Sequence, residues 1–427
     1  MQTRNGIQLY SASDICGFLE CQHLTALDLQ NLVMPMEKAA ASDQNRLIQD
    51  KGLAHEAAFF ERLKSENANV VDIAEGNPSF ARRVELTIQA MKAGADIIFQ
   101  ASLQEGAFIG HADFLRKVPR ESALGDHSYE VIDTKLAKTA KAKFLVQVAL
   151  YSRMLISIQS VQPQFMYVVL GDAARTEQAF RVADYADYLE HVLQRFDAFV
   201  NSAEPPVTYP EPCGHCGFCV WRDRCDEQRQ QDDHLSAVAG ISRSQIKKLQ
   251  SAGVTTLHQL ADSTHDLRIP KLQTESLSKL RHQARLQFQG RSSDVPLFEL
   301  LPVSGERRGF YRMPKAFEGD LFFDMEGNPL EEGGLEYLFG LYIDEGGQQI
   351  FKPFWAHTRD EEKIAFEQFI DWVIGHLKRY PDAHIYHYAS YEETAIKRLM
   401  SQHGTREAQV DWLLRNGKLI DLYKVVR

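Results

Sequence analysis

The chain has 427 residues, of which 58 are acidic and 48 are basic, and its formal net charge is -10. A chain of this length usually divides into two or three domains, because one hydrophobic core rarely serves so many residues. The negative charge argues against a protein that coats nucleic acid through bulk positive charge. It still allows a local basic groove and carboxylates that bind metal ions.

The N-terminal stretch MQTRNGIQLYSASDICGFLECQ contains no apolar segment long enough for a signal peptide. No later stretch keeps about 18 apolar residues together, as a membrane helix would. We therefore expect a soluble, cytoplasmic protein without membrane contact. Four of the six cysteines lie between Cys213 and Cys225. In a reducing compartment such a group is more typical of metal or cluster ligands than of disulfides.

The sequence predicts a first domain over residues 1–230, with helices at the start, strands near 108–118 and 129–135, and long helices after them. The proline-rich stretch AEPPVTYPEPC then leads to the cysteines, and the charged run DEQRQQDD marks a boundary. Residues 231–290 predict a module of short helices. Its glycine turns are each followed by a Ser or Thr in a capping position.

The sequence pattern predicts a loop-rich linker over residues 291–317. Over residues 318–427 it predicts an α/β unit of strand, hairpin, helix, strand and helix. The fold class is therefore an α/β multidomain protein.

The strand YEVIDTK carries the first candidate site. Because residues i and i+2 of a strand point to the same face, Asp133 and Lys135 project side by side. If the strand containing GHADFLRKV pairs antiparallel with it, Asp113 approaches Asp133. Two carboxylates suit Mg²⁺ or Mn²⁺, and a neighbouring lysine suits phosphodiester hydrolysis.

Other residues fit the same chemistry. His55 is expected near the start of the helix KGLAHEAAFFERL, as a further metal ligand or proton carrier. Gln147 and Tyr151, one helical turn apart, share a face and can reach a phosphate or a base. Local positive charge for a DNA backbone comes from Lys138, Lys141 and Lys143.

This series resembles the RecB-like PD-(D/E)XK nuclease family, which has a restriction-endonuclease-like core. The matching positions, in chain order, are His55, Gly110 with Asp113, Asp133 with Lys135, and Gln147 with Tyr151. The resemblance implies metal-dependent cleavage of DNA. It makes Asp113 and Asp133 metal ligands and Lys135 the catalytic lysine, with Gln147 and Tyr151 positioning the substrate.

The cysteine group CGHCGFCVWRDRC resembles the iron-sulfur members of the same family. That resemblance implies a [4Fe-4S] cluster held by Cys21, Cys216, Cys219 and Cys225, with Cys16 and Cys213 as bystanders. The alternative is a local zinc site formed by the four cysteines between Cys213 and Cys225, whose spacing is acceptable for zinc.

The segment VAGISRSQIKKLQSAGVTTLHQLA resembles helix-hairpin-helix modules, whose glycine turns present backbone N–H groups to DNA phosphates. Arg243, Lys247 and Lys248 suit a contact with the DNA backbone that carries no sequence information. The alternative is a helical spacer that packs domains together.

In DLFFDMEGNP, Asp324 and Glu326 share a strand face, and the stretch resembles the first motif of RNase H-like exonucleases. Glu392 stands where the second motif usually has an aspartate, and Asp421 is a candidate third ligand. The chain stops before the final motif of such a domain. We therefore expect an incomplete RNase H-like domain, either in a fragment of a longer protein or in a degenerate copy.

Over nearly its whole length the chain resembles RecB-family nucleases that join these three parts and, in longer members, continue into a superfamily-one helicase. The sequence thus predicts a metal-dependent deoxyribonuclease acting on single strands or ends in DNA repair or processing. The alternative is a catalytically silent DNA-binding adaptor for a helicase, with a structural cysteine metal site.

Overall fold

The computed structural model describes residues 1–4, 6–172, 174–204, 206–295, 297–300, 308–331 and 333–426. The chain forms two compact units, Met1–Phe298 and Glu299–Arg427. Each unit contains a mixed sheet, so the general class of a multidomain α/β protein is confirmed. Residues 301–307 of the predicted linker lie outside the described residues. The four domain ranges named above stay predictions.

The strands of the first unit are β1 (Gln2–Arg4), β2 (Ile7–Ser11), β3 (Val70–Asp72), β4 (Ile97–Glu105), β5 (Phe108–Val118), β6 (Ser128–Lys135), β7 (Phe165–Leu170) and β8 (Glu177–Arg181). Its helices are α1 (Ala12–Glu20), α2 (Gln22–Val33), α3 (Asp43–Glu66), α4 (Phe80–Ala93), α5 (Ala142–Gln159), α6 (Ala183–Val200), α7 (Arg222–Gln231), α8 (Arg243–Ser251), α9 (Leu257–Asp262) and α10 (Thr274–Gly290).

Strand β5 is the centre of the sheet in the first unit. It runs antiparallel to β4 and β6 and parallel to the end of β2. Beyond β6 the sheet continues with β7, which is parallel to β6, and with β8, which is antiparallel to β7. The expected antiparallel pairing of β5 with β6 is therefore confirmed, and it brings the two predicted acidic positions to neighbouring strands.

Helices cover both faces of this sheet. On one face, Phe59 and Leu63 of α3 pack against Phe114 of β5 and Ile132 of β6. On the other face, α1, α4, α5 and α6 pack against the larger core. A fully buried side chain of this size stabilises the fold by about 1.5–3 kcal/mol. The two layers therefore fix α3 and α5 against the ends of β5 and β6.

Helix α3 begins earlier than the sequence pattern indicated. The Ser42 hydroxyl accepts a hydrogen bond from the Asn45 N–H and caps the helix at Asp43. His55 consequently lies in the middle of α3, and the expectation that it lies near the helix start is wrong.

The helical module of the first unit has its own core, formed by α8, α9, α10 and the short 3₁₀ turn Leu235–Ala237. Ser242 forms a capping box with Gln245 at the start of α8, and Thr256 caps α9. The predicted turns are present, with positive φ at Gly240 and Gly253.

The second unit contains β9 (Leu321–Asn328), β10 (Leu335–Glu345), β11 (Gln348–Trp355), β12 (Ile385–His387) and β13 (Leu419–Asp421), with α11 (Arg359–Arg379), α12 (Tyr391–His403), α13 (Glu407–Arg415) and α14 (Tyr423–Val426). Its sheet has the order β11-β10-β9-β12-β13. The first three strands are antiparallel, whereas β12 is parallel to both β9 and β13.

One face of this second sheet packs against α11, α12 and α13 through buried residues such as Phe339, Phe366 and Leu399. Alternate residues of β9 therefore point away from this core, and Asp324 and Glu326 are among them. In the residues that the structure describes, no helix is both long and apolar enough to cross a membrane.

Candidate functional site

The two predicted carboxylates of the first unit meet where β5 and β6 part. Continuing the pairing of Phe114 with Ile132 by one residue puts Asp113 opposite Asp133. Asp113 Oδ2 accepts hydrogen bonds from the Thr134 backbone N–H at 2.7 Å and from the Thr134 hydroxyl at 2.8 Å. Asp113 is thus tied to the residue between Asp133 and Lys135.

Asp133 is fully buried. Its Oδ1 accepts a hydrogen bond from the Gln147 amide at 3.2 Å, and its Oδ2 forms an ion pair with the Lys135 ammonium. Among the described residues, Oδ2 has no hydrogen-bond donor of good geometry. Burial and the nearby Asp113 raise the pKa of Asp133, and Lys135 opposes this shift. The Lys135 ammonium compensates the burial of this oxygen, and a bound cation would add to that compensation.

Lys135 is mostly buried beside this carboxylate, with 21% of its side chain exposed. Burial by itself lowers the pKa of an ammonium, but Asp133 and Asp113 hold the pKa of Lys135 above its usual value. The lysine therefore remains charged at neutral pH.

Helix α5 brings Gln147 and Tyr151 to the same place. The Gln147 amide donates to Asp133 Oδ1 and, at 3.2 Å, to the Tyr151 hydroxyl oxygen. Gly110 of β5 makes room for the tyrosine, because a Cβ at this position would lie 2.8 Å from its ring. Three elements of the sequence pattern, Gly110 with Asp113, Asp133 with Lys135, and Gln147 with Tyr151, therefore converge.

His55 is buried on α3, and its Nε2 lies 3.5 Å from the Val169 carbonyl oxygen of β7. Burial lowers the pKa of the imidazole, so the ring is neutral at neutral pH. The ring is close enough to Asp113 for that charge to raise its pKa slightly, and its hydrogen bond is to the sheet backbone.

The next residue, Glu56, was not among the predicted site residues. Its carboxylate accepts a hydrogen bond from the Gln100 amide of β4. Burial, followed by the charge of Asp113, raises the pKa of Glu56 to about 7. Because Glu56 directly follows His55 on the same helix, the sequence could have indicated Glu56 as a site residue. No feature of the sequence indicated a role for Gln100.

Gln100 interrupts β4 opposite Asp113. Phe99 pairs with Phe114 and Ala101 with Ala112, but the intervening pair of Gln100 and Asp113 is missing from the ladder. The backbone of Gln100 has φ 52°, in the left-handed region that residues other than glycine rarely adopt. Such a conformation costs on the order of 1–3 kcal/mol and is often found at functional sites.

The lysines predicted to contact DNA lie around the start of α5. Lys138 and Lys141 are exposed. Lys143, on the first turn, forms an ion pair with Glu20 at 3.1 Å. Two of the three lysines are therefore exposed to solvent, and they follow Asp133 by five and eight residues in the sequence.

On α8 of the helical module, Arg243 and Lys247 are exposed, whereas the Lys248 ammonium donates to the Lys271 carbonyl oxygen at 2.7 Å. The first two are free to approach a phosphate backbone, and Lys248 partly stabilises the module itself.

Five cysteines line one cavity of the first unit: Cys21, Cys213, Cys216, Cys219 and Cys225. The Sγ atoms of Cys213 and Cys216 lie 3.8 Å apart. Burial raises the pKa of Cys225 to about 11, and the neighbouring thiols of Cys219 and Cys21 contribute to the shift. The structure thus brings Cys21 to the late cysteines, together with Cys213, which was expected to be a bystander.

Cys16 lies apart from this cavity. Its thiol, on α1, donates to the Lys143 carbonyl oxygen at 3.3 Å. Lys135 and Asp133 are close enough to influence its pKa, which burial raises to about 11.

Within the described ranges, no group of three or more His, Cys, Asp or Glu side chains has an arrangement that could hold a metal ion. The donor chemistry nevertheless fits both expected groups. Mg²⁺ is usually bound through one or two carboxylates together with water and substrate phosphates, and Asp113 and Asp133 lie opposite each other where β5 and β6 part. Several convergent thiols are suitable ligands for an iron-sulfur cluster or for zinc.

In the second unit, Glu392 is buried on the first turn of α12, where it accepts a hydrogen bond from His387 Nδ1 at 3.3 Å. Burial raises the pKa of Glu392, and Asp324 adds to the shift. Asp421 pairs with His387 in the β12–β13 register and accepts the Ala389 N–H at 2.9 Å. These acidic residues therefore surround one end of the sheet.

Glu326 lies two residues beyond Asp324 on the same exposed face of β9. Burial and the hydrogen bond to Glu336 raise the pKa of Tyr391 at the start of α12, and the charge of Glu326 adds to the shift. The fourth predicted acidic residue thus belongs to the same end of the sheet.

Comparison with known families identifies the second unit. Residues 321–427, about a quarter of the chain, match the model of the RNase_H superfamily. The chain therefore contains an RNase H-like domain, which suggests a nuclease-type function in nucleic-acid processing. The match leaves residues 1–320 outside it, so the RecB-like interpretation of the first unit stays a resemblance.

A solved structure described as "Crystal structure of SSO0001" is similar to 53% of this chain and to 88% of its own chain, with 12% sequence identity and a TM-score of 0.21. A similarity at this level does not establish a shared fold. None of the curated proteins compared with the chain matches it.

If the Asp133 site binds a divalent cation, the binding should strengthen as the pH rises. Asp133 and Glu56 have raised pKa values, so both are partly protonated below about pH 7, and carboxylates must lose their protons to attract a cation. The Mn²⁺ dissociation constant, measured by calorimetry between pH 5.5 and 8, should fall with rising pH and then level off above about pH 7. Affinity that stays constant over this range would contradict the raised pKa values.

Proposed function

We propose that the protein is a metal-dependent DNA nuclease whose catalytic centre in the first unit is formed by Asp113, Asp133 and Lys135. The observation that carries the proposal is the meeting of three charged groups: Asp113 lies opposite Asp133 on the neighbouring strand, and the buried Asp133 Oδ2 forms an ion pair with the Lys135 ammonium. The RNase H-like match of the second unit supports a nucleic acid as substrate. Single strands or ends in DNA repair or processing are the proposed substrates.

The residues of the centre have separable roles. Mg²⁺ or Mn²⁺ held by Asp113 and Asp133 would polarise the scissile phosphate and lower the pKa of the attacking water. The Lys135 ammonium stabilises the negative charge that develops on the phosphoryl oxygens. Gln147 holds the carboxylate of Asp133 in place, and Tyr151 accepts from the same amide.

His55, neutral at neutral pH, is available to take up a proton or to act as a further ligand. The exposed Lys138, Lys141, Arg243 and Lys247 contact the phosphate backbone in this proposal. Such contacts add affinity without sequence preference, which suits a nuclease that acts on ends.

The cysteine cavity is proposed to hold a [4Fe-4S] cluster through Cys21, Cys216, Cys219 and Cys225, with zinc as the alternative. In this proposal Cys213 lies against the cluster ligands. A helicase, as a partner or as a further domain, is the proposed source of the single strands.

The proposed activity is tested with the full-length protein and three end-labelled DNA substrates: a linear single strand, a circular single strand and a duplex. We expect cleavage of the linear single strand with Mn²⁺ or Mg²⁺ and none with EDTA. The activity should coincide with the protein peak in gel filtration, which excludes a contaminating nuclease. Cleavage that persists in EDTA, or no cleavage with either ion, would favour the DNA-binding adaptor instead.

A further inference from the structure

Glu56 of α3 stands beside the proposed centre. Its carboxylate is held by the side-chain amide of Gln100, whose position in β4 is opposite Asp113 although the two residues do not pair in the ladder. Burial, and then the charge of Asp113, raise the pKa of Glu56, so its carboxylate lies near the pair of acidic residues. Glu56 is half-buried, so its charge is not simply dispersed in solvent.

The kink at Gln100 makes this contact possible. In a regular strand, side chains alternate between the two faces of the sheet. Here Ile98 and Ala101, three residues apart, both belong to the core on the α5 side, so the alternation is broken between them. The left-handed conformation of Gln100 marks the position of the break, and the Gln100 amide reaches the helix on the opposite face of the sheet.

The charges around the centre are unbalanced without a ligand. Asp113, Asp133 and Glu56 supply three carboxylates, and Lys135 supplies one ammonium. When all four groups are ionised, their net charge is −2, which a divalent cation neutralises. Glu56 lies on α3, outside the pair of carboxylates that face each other across β5 and β6, so its contribution is made through space or through water.

We infer that Glu56 is a third acidic group of the cation site, which strengthens divalent-cation binding from outside the direct ligand set, and that the Gln100 kink sets its position. The inference rests on the proposed function and specifies how the same centre holds its cation. Glu56 is a positioning residue in this scheme, since it acts on the cation through its neighbours.

The test measures Mn²⁺ binding to the full-length protein by electron paramagnetic resonance, without any cleavage assay. Glu56→Gln should weaken binding by about tenfold or more, in line with the effect of removing groups around direct ligands. Glu56→Asp should restore part of the affinity. Glu61→Gln is the matched control, because Glu61 lies on the same helix, is 71% exposed and pairs with Lys64; it should bind Mn²⁺ like the wild type.

Gln100→Gly provides a second variant in case Glu56→Gln does not fold. Glycine tolerates the left-handed conformation, so the fold should keep its melting temperature while Mn²⁺ affinity falls several-fold. Wild-type affinity in both Glu56→Gln and Gln100→Gly, with binding lost in Asp133→Asn, would overturn this inference alone. Wild-type affinity in Asp133→Asn as well would show that the proposed centre does not bind the cation, and would overturn the proposed function too.

Discussion

Replacing Asp133 by asparagine is expected to lower Mn²⁺-dependent cleavage of single-stranded DNA by about a thousandfold or more, because a lost metal ligand costs several kcal/mol of transition-state stabilisation. Asparagine has the shape of the protonated aspartic acid, and the raised pKa of Asp133 shows that burial favours this neutral form. The fold should therefore survive the exchange. Initial rates at saturating Mn²⁺ measure the effect, and thermal unfolding checks the fold.

Asp324→Asn is the matched control for this prediction, since it removes an exposed carboxylate from the acidic end of the second sheet. If the first unit performs the cleavage, Asp324→Asn retains nearly the wild-type rate while Asp133→Asn does not. The reverse result would assign cleavage to the RNase H-like domain and contradict the proposed centre. Equal, undiminished rates in both variants would mean that neither carboxylate takes part.

The sequence was sufficient to predict the main pair of carboxylates. Strand periodicity put Asp133 and Lys135 on one face, and the short connection to the previous strand made an antiparallel pair the simplest topology. The structure shows this pairing, with Asp113 one residue beyond the last paired position. The one-turn spacing of Gln147 and Tyr151 was equally informative, because a helix places such residues on one face whatever surrounds it.

The environment of this pair was not predictable in the same way. Whether Asp133 is buried, and which of its oxygens remains without a donor, depends on how α3 and α5 pack on the sheet. The kink at Gln100 contradicts the local preference of a glutamine in a strand and is maintained by tertiary contacts. Glu56 depends on that kink for its hydrogen bond, so it was missed with it.

The two units differ in what supports their interpretation. In the second unit the family match and the group of acidic residues at one end of the sheet both support an RNase H-like domain. In the first unit the support is physical: two opposed carboxylates, one of them fully buried, and a lysine kept charged by its neighbours. His387, which hydrogen-bonds Glu392, was not predicted, because the strand HIYHY gives no indication of which residue faces α12.

If the cavity holds the proposed [4Fe-4S] cluster, replacing Cys219 by serine should remove it and lower the free energy of unfolding by roughly 4–5 kcal/mol. The reason is loop closure: ligands at Cys21 and Cys216 would join positions about 195 residues apart, which restricts the unfolded chain. Serine is a poor ligand for iron or zinc and leaves the cavity nearly unchanged in size. Urea unfolding of anaerobically purified protein measures the stability, and elemental analysis measures iron and zinc.

The matched control is Cys16→Ser, because Cys16 lies apart from the cavity with its thiol on the Lys143 carbonyl. It should keep the bound metal and nearly the whole stability. Broad visible absorption, lost in Cys219→Ser and retained in Cys16→Ser, would identify an iron-sulfur cluster, since thiolate-to-iron charge transfer absorbs there and zinc does not. A colourless protein with one equivalent of zinc would select the alternative. Unchanged metal content and stability in Cys219→Ser would contradict both, because the cavity that gathers Cys21 and the late cysteines would then hold neither.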